Sequence, residues 1–276
     1  MTTRLAPLLA LALLFAVAPA AHAVWGGDVD TTHPQVGAFY FDGNHDGDLA
    51  PDEIGCSGSY VGRSKDNLAD VFLTAGHCIP PAELRSEFPP EDFYVSFDND
   101  ANDGVDDPIQ LTDYVQMPGF GLGRGDPHDI GLMFMPAGSV GSLTPVELPP
   151  ADFLDTLKTA GELNFLHADI VGYGATPVWD EPGRTFYDFT FTRHAGTAVV
   201  TGLSKSKLVF NQNVHGNGTG SGLCIGDSGS PQLVEGTLQM LSITEGGNLQ
   251  CNSRVADYRL DTPVARDFLD DYLNLP

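Results

Sequence analysis

Basic residues are scarce in this chain of 276 residues. Only 13 Lys and Arg stand against 37 Asp and Glu, so the formal net charge is −24. Because a protein that binds a polyanion needs a basic surface, we expect no nucleic acid partner. The acidic excess favours a solubilising surface; the alternative is that some carboxylates cluster as ligands for a hard cation.

Long apolar segments are missing outside the N-terminus. Residues 5–18 form an apolar run after Arg4, and residues 21–23 (AHA) have the small-x-small pattern of a signal-peptide cleavage site. The run is short for a bilayer span and contains Pro7, so a signal peptide over residues 1–23 is favoured over a membrane anchor. We therefore predict a secreted mature chain without membrane attachment.

Cysteine is also rare, with four in the chain. Their spacing fits no zinc-binding pattern, and in an exported chain four cysteines favour two disulfides. The sequence alone leaves three pairings open among Cys56, Cys78, Cys224 and Cys251.

No regular alternation of helices and strands is present. Short β-favouring runs separated by Gly, Pro and Asn clusters favour an all-β barrel or sandwich. Residues 143–150 are typical of a connector between two halves. One helix is predicted near the C-terminus, where Asp261 can cap and Val264, Phe268 and Tyr272 recur at helical spacing. Predicted strands cover residues 36–41, 56–62, 71–73, 169–174, 186–193, 197–201, 207–210 and 238–243.

The segment DGNHDGDLAPDE, residues 42–53, matches the calcium-loop pattern D-x-[DN]-x-[DN]-G-x5-E at every specified position. Side-chain and backbone oxygens at these spacings can surround one Ca²⁺ ion, and Gly47 permits the sharp turn. The flanks are strand-like, which indicates a lone structural loop and not an EF-hand sensor; a solvated acidic loop is the alternative. A second acidic segment, residues 98–104, fits the pattern poorly. The predicted ligands are Asp42, Asn44, Asp46, Asp48 through its carbonyl, and Glu53.

The glycine-rich segment GLCIGDSGSP, residues 222–231, makes Ser228 a candidate nucleophile, because its glycines suit a tight turn around a hydroxyl. Such strings also occur in ordinary turns, so the assignment requires a base and an orienting carboxylate. His77 follows an apolar strand and adjoins Cys78; a structural histidine is the alternative. Asp129 precedes another apolar strand, where a buried carboxylate needs a partner such as an imidazole.

His77, Asp129 and Ser228 supply a base, an orienting group and a nucleophile. A hydroxyl becomes nucleophilic when an imidazole accepts its proton, and a carboxylate fixes the tautomer of that imidazole. The sequence resembles the secreted chymotrypsin/trypsin-like serine proteases of bacterial type over nearly all of the mature chain. The segments that carry the resemblance are LTAGHC at 73–78, HDIGL at 128–132, GYG at 172–174, GDSGSP at 226–231 and YRLDTP at 258–263.

The resemblance implies a monomeric serine endopeptidase that cleaves protein or peptide substrates through an acyl-enzyme and needs no cofactor for catalysis. It implies two packed six-stranded antiparallel β-barrels with a C-terminal α-helix. The first barrel would cover residues 24–145 and carry His77 and Asp129. The second would cover residues 146–276 and carry Ser228.

The resemblance also implies roles for residues around the triad. The disulfides would join Cys56 to Cys78 and Cys224 to Cys251. The backbone N–H groups of Gly226 and Ser228 would form the oxyanion hole. Ser242 would lie beside Asp129 as an auxiliary donor.

Three departures from the family pattern concern specificity and local geometry. Ser230 replaces a usual glycine, and Gly222 stands where trypsin-like members carry an aspartate, so a simple preference for Lys or Arg is not supported. The segment that would form one wall of the specificity pocket, residues 244–250, is longer than usual for the family and contains Glu245. The residues of the expected pocket are Gly222, Thr244, Glu245, Ala256 and Asp257.

The N-terminus suggests a maturation step. In this family, cleavage of the chain before a Val or Ile-x-Gly-Gly sequence creates a new α-amine on the Val or Ile. This amine pairs with the aspartate that precedes the nucleophile. Here the pair would be Val24 and Asp227, and Val24 is also the residue that signal-peptide cleavage would expose. We therefore predict that export itself matures the enzyme.

Two other functions remain open from the sequence. One is a catalytically silent binding protein built on the same fold, and the other is calcium binding as the function itself. The complete triad favours the endopeptidase. If the acidic loop binds Ca²⁺, we expect a structural role.

Overall fold

The computed structural model describes residues 24–102, 104–122, 127–164, 166–181, 184–212 and 220–276. The predicted signal segment, residues 1–23, lies outside the described residues. The strands are β1 (Asp28–Val29), β2 (Val36–Phe41), β3 (Ile54–Arg63), β4 (Ala69–Thr74), β5 (Phe93–Ser96), β6 (Ile109–Gln110), β7 (Asp113–Gln116), β8 (Gly131–Pro136), β9 (His167–Gly172), β10 (Thr176–Glu181), β11 (Arg184–Asp188), β12 (His194–Leu203), β13 (Lys207–Asn211), β14 (Pro231–Val234), β15 (Met240–Ile243) and β16 (Arg254–Arg259); the helices are α1 (Phe153–Ala160) and α2 (Pro263–Asp270).

The first sheet has the strand order β6-β5-β2-β3-β4-β8-β7 and is antiparallel throughout. The edge strands β6 and β7 do not pair with each other within the described residues, so the sheet is a curled half-barrel. Strand β6 is short and offers few backbone groups that could pair with β7 to close a barrel. The β2–β3 connection is residues 42–53, which is the predicted calcium loop between two strands.

The second sheet closes into a six-stranded barrel. Its order is β12-β13-β16-β15-β14-β9, and β9 pairs back to β12 to complete the ring. Strand β1 lies in the segment predicted to belong to the first unit, but it adds to the second sheet through β12. The predicted all-β class, with two packed β units and a C-terminal helix, is confirmed.

A shared hydrophobic core joins the two sheets. It contains Leu73 and Leu132 from the first sheet, Ile243 and Tyr258 from the second, and Phe268 from α2, all nearly inaccessible to solvent. Burying such side chains is the main favourable contribution to folding. Because β4 and β8 pack here, the residues at their ends are brought toward β15 and β16.

The helices differ in two ways from the sequence prediction. Helix α1 was not predicted. Helix α2 is capped by Thr262, whose side chain accepts a hydrogen bond from Ala265 N at 3.2 Å, and not by Asp261. Asp261 instead accepts from Leu154 N at 2.7 Å and so stabilises the start of α1. Neither described helix is long and apolar enough to cross a bilayer.

Candidate active site

His77 and Asp129 meet where the ends of β4 and β8 lie side by side. His77 lies in a short 3-10 turn after β4, and Asp129 lies two residues before β8. Asp129 Oδ2 is 2.9 Å from His77 Nδ1, and Asp129 Oδ1 accepts the backbone N–H of His77 at 2.7 Å. The side chain of Asp129 is 2% exposed and that of His77 is 32% exposed. A buried carboxylate therefore holds an accessible imidazole in one orientation.

Ser228 lies in the loop before β14, which packs against the same end of the first sheet. Its carbonyl accepts Ser57 N at 3.0 Å, and Gly229 N donates to Thr244 O at 2.8 Å. Gly229 has φ +79°, and a Cβ there would lie 2.1 Å from Thr74 Oγ1. Thr74 is three residues before His77, so this close approach, which only glycine allows, brings the serine loop to the segment that carries the histidine.

Both predicted disulfides are confirmed. Cys56–Cys78 has an S–S distance of 1.99 Å and Cys224–Cys251 one of 2.01 Å. The first ties the residue after His77 to β3, and the second ties the serine loop to the segment before β16. Each bridge restricts a segment that carries a candidate catalytic group.

The backbone at Gly226 is turned by a φ of +97°. The carbonyl of Gly226 accepts Ser57 Oγ at 2.9 Å. Among the described residues, the N–H groups of Gly226 and Ser228 donate no hydrogen bond. Two unpaired donors on either side of Asp227 are suited to an anionic oxygen.

Asp227 is fully buried and lies between backbone donors. Its Oδ1 accepts Gly174 N and its Oδ2 accepts Cys224 N, each at 2.8 Å. Burial raises the pKa of Asp227 to about 7, although the two N–H groups oppose that shift. Val24 is also buried, and its neighbour Trp25 accepts Gly222 N at 2.9 Å.

The predicted pocket residues separate into different environments. A Cβ on Gly222 would lie 2.4 Å from Cys251 O, so this position cannot carry a larger side chain without a shift of the backbone. Thr244 is buried, and its hydroxyl bonds to Ser230 Oγ at 2.8 Å and accepts Gln232 Nε2 at 2.6 Å. Ala256 is half-buried in β16.

Glu245 and Asp257 are brought together. Glu245 N donates to Asp257 Oδ1 at 3.1 Å, and Asp257 Oδ2 is buried without a hydrogen-bond partner. Burial raises the pKa of Asp257 to about 8. Both carboxylate oxygens of Glu245 contact Lys207 Nζ. Lys207 was missed as a site residue, although a lysine is conspicuous in a chain with 13 basic residues.

Ser242 has a different partner from the one predicted. Its hydroxyl donates to Gln232 Oε1 at 2.7 Å. The two residues lie directly opposite each other in β14 and β15, so their side chains share one face of the barrel. The only proton of this hydroxyl is thus given to Gln232 and not to Asp129. Ser230, at the departure from the family pattern, belongs to the same buried network.

The predicted calcium loop is ordered by its own side chains. Asp42 Oδ2 accepts Gly47 N, Asn44 Oδ1 accepts Asp46 N, and Asp46 Oδ1 accepts Asp48 N, at 2.9 to 3.0 Å. Gly47 has φ +76° and ample space around it, so the backbone conformation and not crowding favours glycine. Leu49 is buried beside Tyr40 and Tyr173 and anchors the loop.

The donor set of this loop fits Ca²⁺. Asp42 is 5% exposed, and its Oδ1 is buried with no partner, which is costly for a carboxylate unless a cation or donor approaches it. Every predicted ligand is a hard oxygen. In the described parts of the chain, the one group of three His, Cys, Asp or Glu ligand atoms within 4.8 Å is Cys56, His77 and Cys78. Its two sulfurs form a disulfide, so it is not a metal site. No three carboxylates of the loop lie within 4.8 Å of one another.

No protein-family model and no curated protein matches this chain. Solved structures do. HL collagenase has a TM-score of 0.60 at 14% identity, over 91% of this chain and 97% of that one. Human heparin binding protein has a TM-score of 0.60 at 15% identity, over 92% of this chain and 98% of that protein. The VesB protease of Vibrio cholerae has a TM-score of 0.60 at 16% identity, over 89% of this chain and 66% of that protein. The chain therefore has the fold of the chymotrypsin-like serine proteases.

Proposed function

We propose that this chain is a serine endopeptidase that hydrolyses peptide bonds through His77, Asp129 and Ser228. The contact between His77 Nδ1 and the buried Asp129 carries the proposal, because it leaves the opposite ring nitrogen available as a base. The packing of Gly229 against the strand that leads to His77 supports the same assignment. The fold adds support, since two of its solved neighbours are a collagenase and a protease.

In the proposed reaction Ser228 Oγ attacks the scissile carbonyl carbon and gives its proton to His77 Nε2. The carbonyl oxygen becomes an anion and is met by the N–H groups of Gly226 and Ser228. His77 then gives the proton to the leaving amine, and the C–N bond breaks. Water repeats the sequence to release the acid and restore the serine.

Labelling with a fluorophosphonate tests this function directly. We expect the wild-type chain to be labelled and Ser228→Ala to remain unlabelled. Ser253→Ala is the matched control, because Ser253 is exposed and outside the site, and it should label like wild type. No labelling of well-folded wild-type protein after removal of residues 1–23 would overturn the proposal.

A catalytically silent binding protein is the second candidate, because one structural neighbour is named for binding heparin. The net charge of −24 disfavours heparin itself as a ligand for this chain. The same labelling experiment separates the two functions. Labelling that depends on Ser228 excludes the silent protein.

For substrate preference, we infer that any preference for Lys or Arg depends on Glu245 or Asp257, because position 222 is a glycine where trypsin-like members carry an aspartate side chain. Gly222 is packed against Cys251 O, which leaves no room for such a side chain. Cleavage of a peptide library will define the preferred residue. A strict requirement for Lys or Arg that survives substitution of both Glu245 and Asp257 would contradict this inference.

We also propose that residues 42–53 bind a structural Ca²⁺ through Asp42, Asn44, Asp46, Asp48 and Glu53. The unpartnered buried oxygen of Asp42 supports the site. A ligand that binds only the folded state stabilises it by mass action, by about 2.7 kcal/mol at a hundredfold excess over Kd. The ion would tie the β2–β3 connection closed and take no part in catalysis.

Melting with and without a chelator tests the calcium site. We expect the chelator to lower Tm in wild type and to have no effect in Asp46→Ala. Asp52→Asn is the matched control, because Asp52 lies in the same loop at a position that supplies no ligand, and its chelator response should be kept. Equal Tm values with and without Ca²⁺ in wild type would rule the site out.

We propose further that the protein is secreted as a monomer and matures by cleavage before Val24. The two disulfides support an oxidising compartment. Val24 has φ +51°, a conformation that β-branched residues rarely adopt, and cleavage would release it. The new ammonium would pair with Asp227. N-terminal sequencing of the secreted protein tests this, and a mature chain that begins elsewhere would refute it.

A further inference from the structure

Ser228 lies in a tight turn that one other segment holds in place. Ser230 N donates to Asp227 O at 2.9 Å and closes the turn. Gly229 has φ +79°, which is typical of the third residue of a type II turn. Thr244 binds this turn twice through its backbone, because Gly229 N donates to Thr244 O at 2.8 Å and Thr244 N donates to Ser230 O at 2.9 Å. The position of Ser228 therefore depends on Ser230 and Thr244.

A buried network of side chains holds Ser230 and Thr244, and Gln232 is its centre. The amide nitrogen of Gln232 donates to Thr244 Oγ1 at 2.6 Å and to Ser230 O at 3.4 Å. Its amide oxygen accepts Ser242 Oγ at 2.7 Å. Ser230 Oγ lies 2.8 Å from Thr244 Oγ1 and completes the network. Each of the four residues is at most 2% exposed, so a broken hydrogen bond leaves a buried polar atom without a partner.

We infer that Gln232 is a positioning residue for the nucleophile. By fixing the hydroxyl of Thr244 and the carbonyl of Ser230, it sets the turn that presents the Ser228 hydroxyl for attack. The inference rests on the proposed function, since Ser228 matters as the nucleophile of that reaction. The network also gives partners to two hydroxyls that depart from the family pattern: that of Ser230, where a glycine is usual, and that of Ser242, which was expected to donate to the aspartate.

Gln232→Leu removes both hydrogen-bonding groups at a similar side-chain volume, and fluorophosphonate labelling measures the consequence. The labelling rate is followed over a range of probe concentrations, which separates the maximal rate from the half-saturating concentration. We expect the maximal rate to fall by about tenfold or more, because a displaced hydroxyl attacks poorly. The half-saturating concentration should stay the same, since Gln232 is 0% exposed and does not contact the probe. A role in stability alone would lower Tm and leave the maximal rate of the folded variant unchanged.

Substitutions of Thr244 test whether Gln232 acts through the turn. Thr244→Ser keeps the hydroxyl that accepts Gln232 Nε2 and should retain most of the maximal rate, whereas Thr244→Val removes this hydroxyl and should lose about as much as Gln232→Leu. Because Thr244→Val and Gln232→Leu break the same hydrogen bond, the double variant should lose little more than either single variant. Thr262→Ala is the matched control: it removes the cap of α2, so it should lower Tm without changing the maximal rate.

The inference fails if folded Gln232→Leu keeps the wild-type maximal rate, or if the two losses add in the double variant. Near-ultraviolet circular dichroism at the assay temperature shows whether each variant is folded. If Gln232→Leu does not fold, the comparison of Thr244→Ser with Thr244→Val decides the question, because equal maximal rates in these two variants would overturn the inference. A failure of the proposed function is distinct, since it would appear as unlabelled wild-type protein.

Discussion

Asp227 makes the stability of the uncleaved chain depend on pH in an unusual direction. Burial raises its pKa in the folded state to about 7 from an ordinary value of 3.8. Between these values the unfolded chain has lost the proton while the folded chain keeps it. The unfolded state then binds fewer protons than the folded state, so the free energy of unfolding falls as pH rises through this window.

The perturbation that isolates this effect is Asp227→Asn. Both oxygens of Asp227 accept backbone N–H groups, from Gly174 and Cys224, whereas an asparagine offers one oxygen and one NH₂ group. One buried N–H is left facing a donor, which costs about 1–3 kcal/mol. The variant, however, has no charge to desolvate. The free energy of unfolding of wild type, relative to that of Asp227→Asn, should thus fall by up to about 1.4 kcal/mol per pH unit between pH 4 and 7.

Urea unfolding at several pH values measures this difference. Wild type and Asp227→Asn are compared in a Ser228→Ala background that prevents self-digestion, with residues before Val24 retained. Asp267→Asn, an exposed substitution, is the matched control and should show no such trend. After cleavage before Val24, an ammonium beside Asp227 should abolish the decline. A constant difference between wild type and Asp227→Asn in the uncleaved chain would refute the reasoning.

Three further predictions concern a buried ion pair, the crowding at Gly229 and the cap of α2. Arg193→Met should lower the free energy of unfolding, measured in urea, by about 3–5 kcal/mol, because it leaves the carboxylate of Asp30 buried without its partner. The two side chains form a salt bridge at 2.9 Å and are 3% and 2% exposed. Adding Asp30→Asn removes the unpaired charge and should recover part of the loss. Gly229→Ala should abolish fluorophosphonate labelling, because its Cβ would lie 2.1 Å from the hydroxyl of Thr74. Gly236→Ala is the control: Gly236 has φ +71° and open space around it, so this variant should lose only about 1–2 kcal/mol of free energy of unfolding and should still be labelled. Equal loss of labelling in both variants would contradict the crowding argument. Thr262→Ala should lower stability by about 1 kcal/mol through loss of the α2 cap, and an unchanged Tm would show that the cap contributes nothing.

Local patterns predicted part of the strand set: β1, β5, β6, β7, β10, β14 and β16 were missed, and only residues 186–188 of the predicted strand 186–193 lie in a strand. Strand β2 coincides with the predicted residues 36–41, and the segment 42–53 connects two strands as its flanks indicated. Alternating β-favouring runs and turn residues encode such elements within a few positions of the chain. Helix α1 was missed because its short segment sits between prolines and polar residues. The cap of α2 was placed one residue early, since Asp261 and Thr262 are both good capping types.

The sequence by itself determined the types of residue available for chemistry and the order in which they occur: an imidazole and a carboxylate each beside an apolar strand, and a serine in a glycine-rich turn. Only the tertiary structure decided which of them meet. It pairs Ser242 with Gln232 through the register of β14 and β15, and it pairs Glu245, in the segment after β15, with Lys207 at the start of β13. The physical reason is that barrel register, burial and close approach depend on contacts between residues far apart in the chain, which local periodicity does not encode.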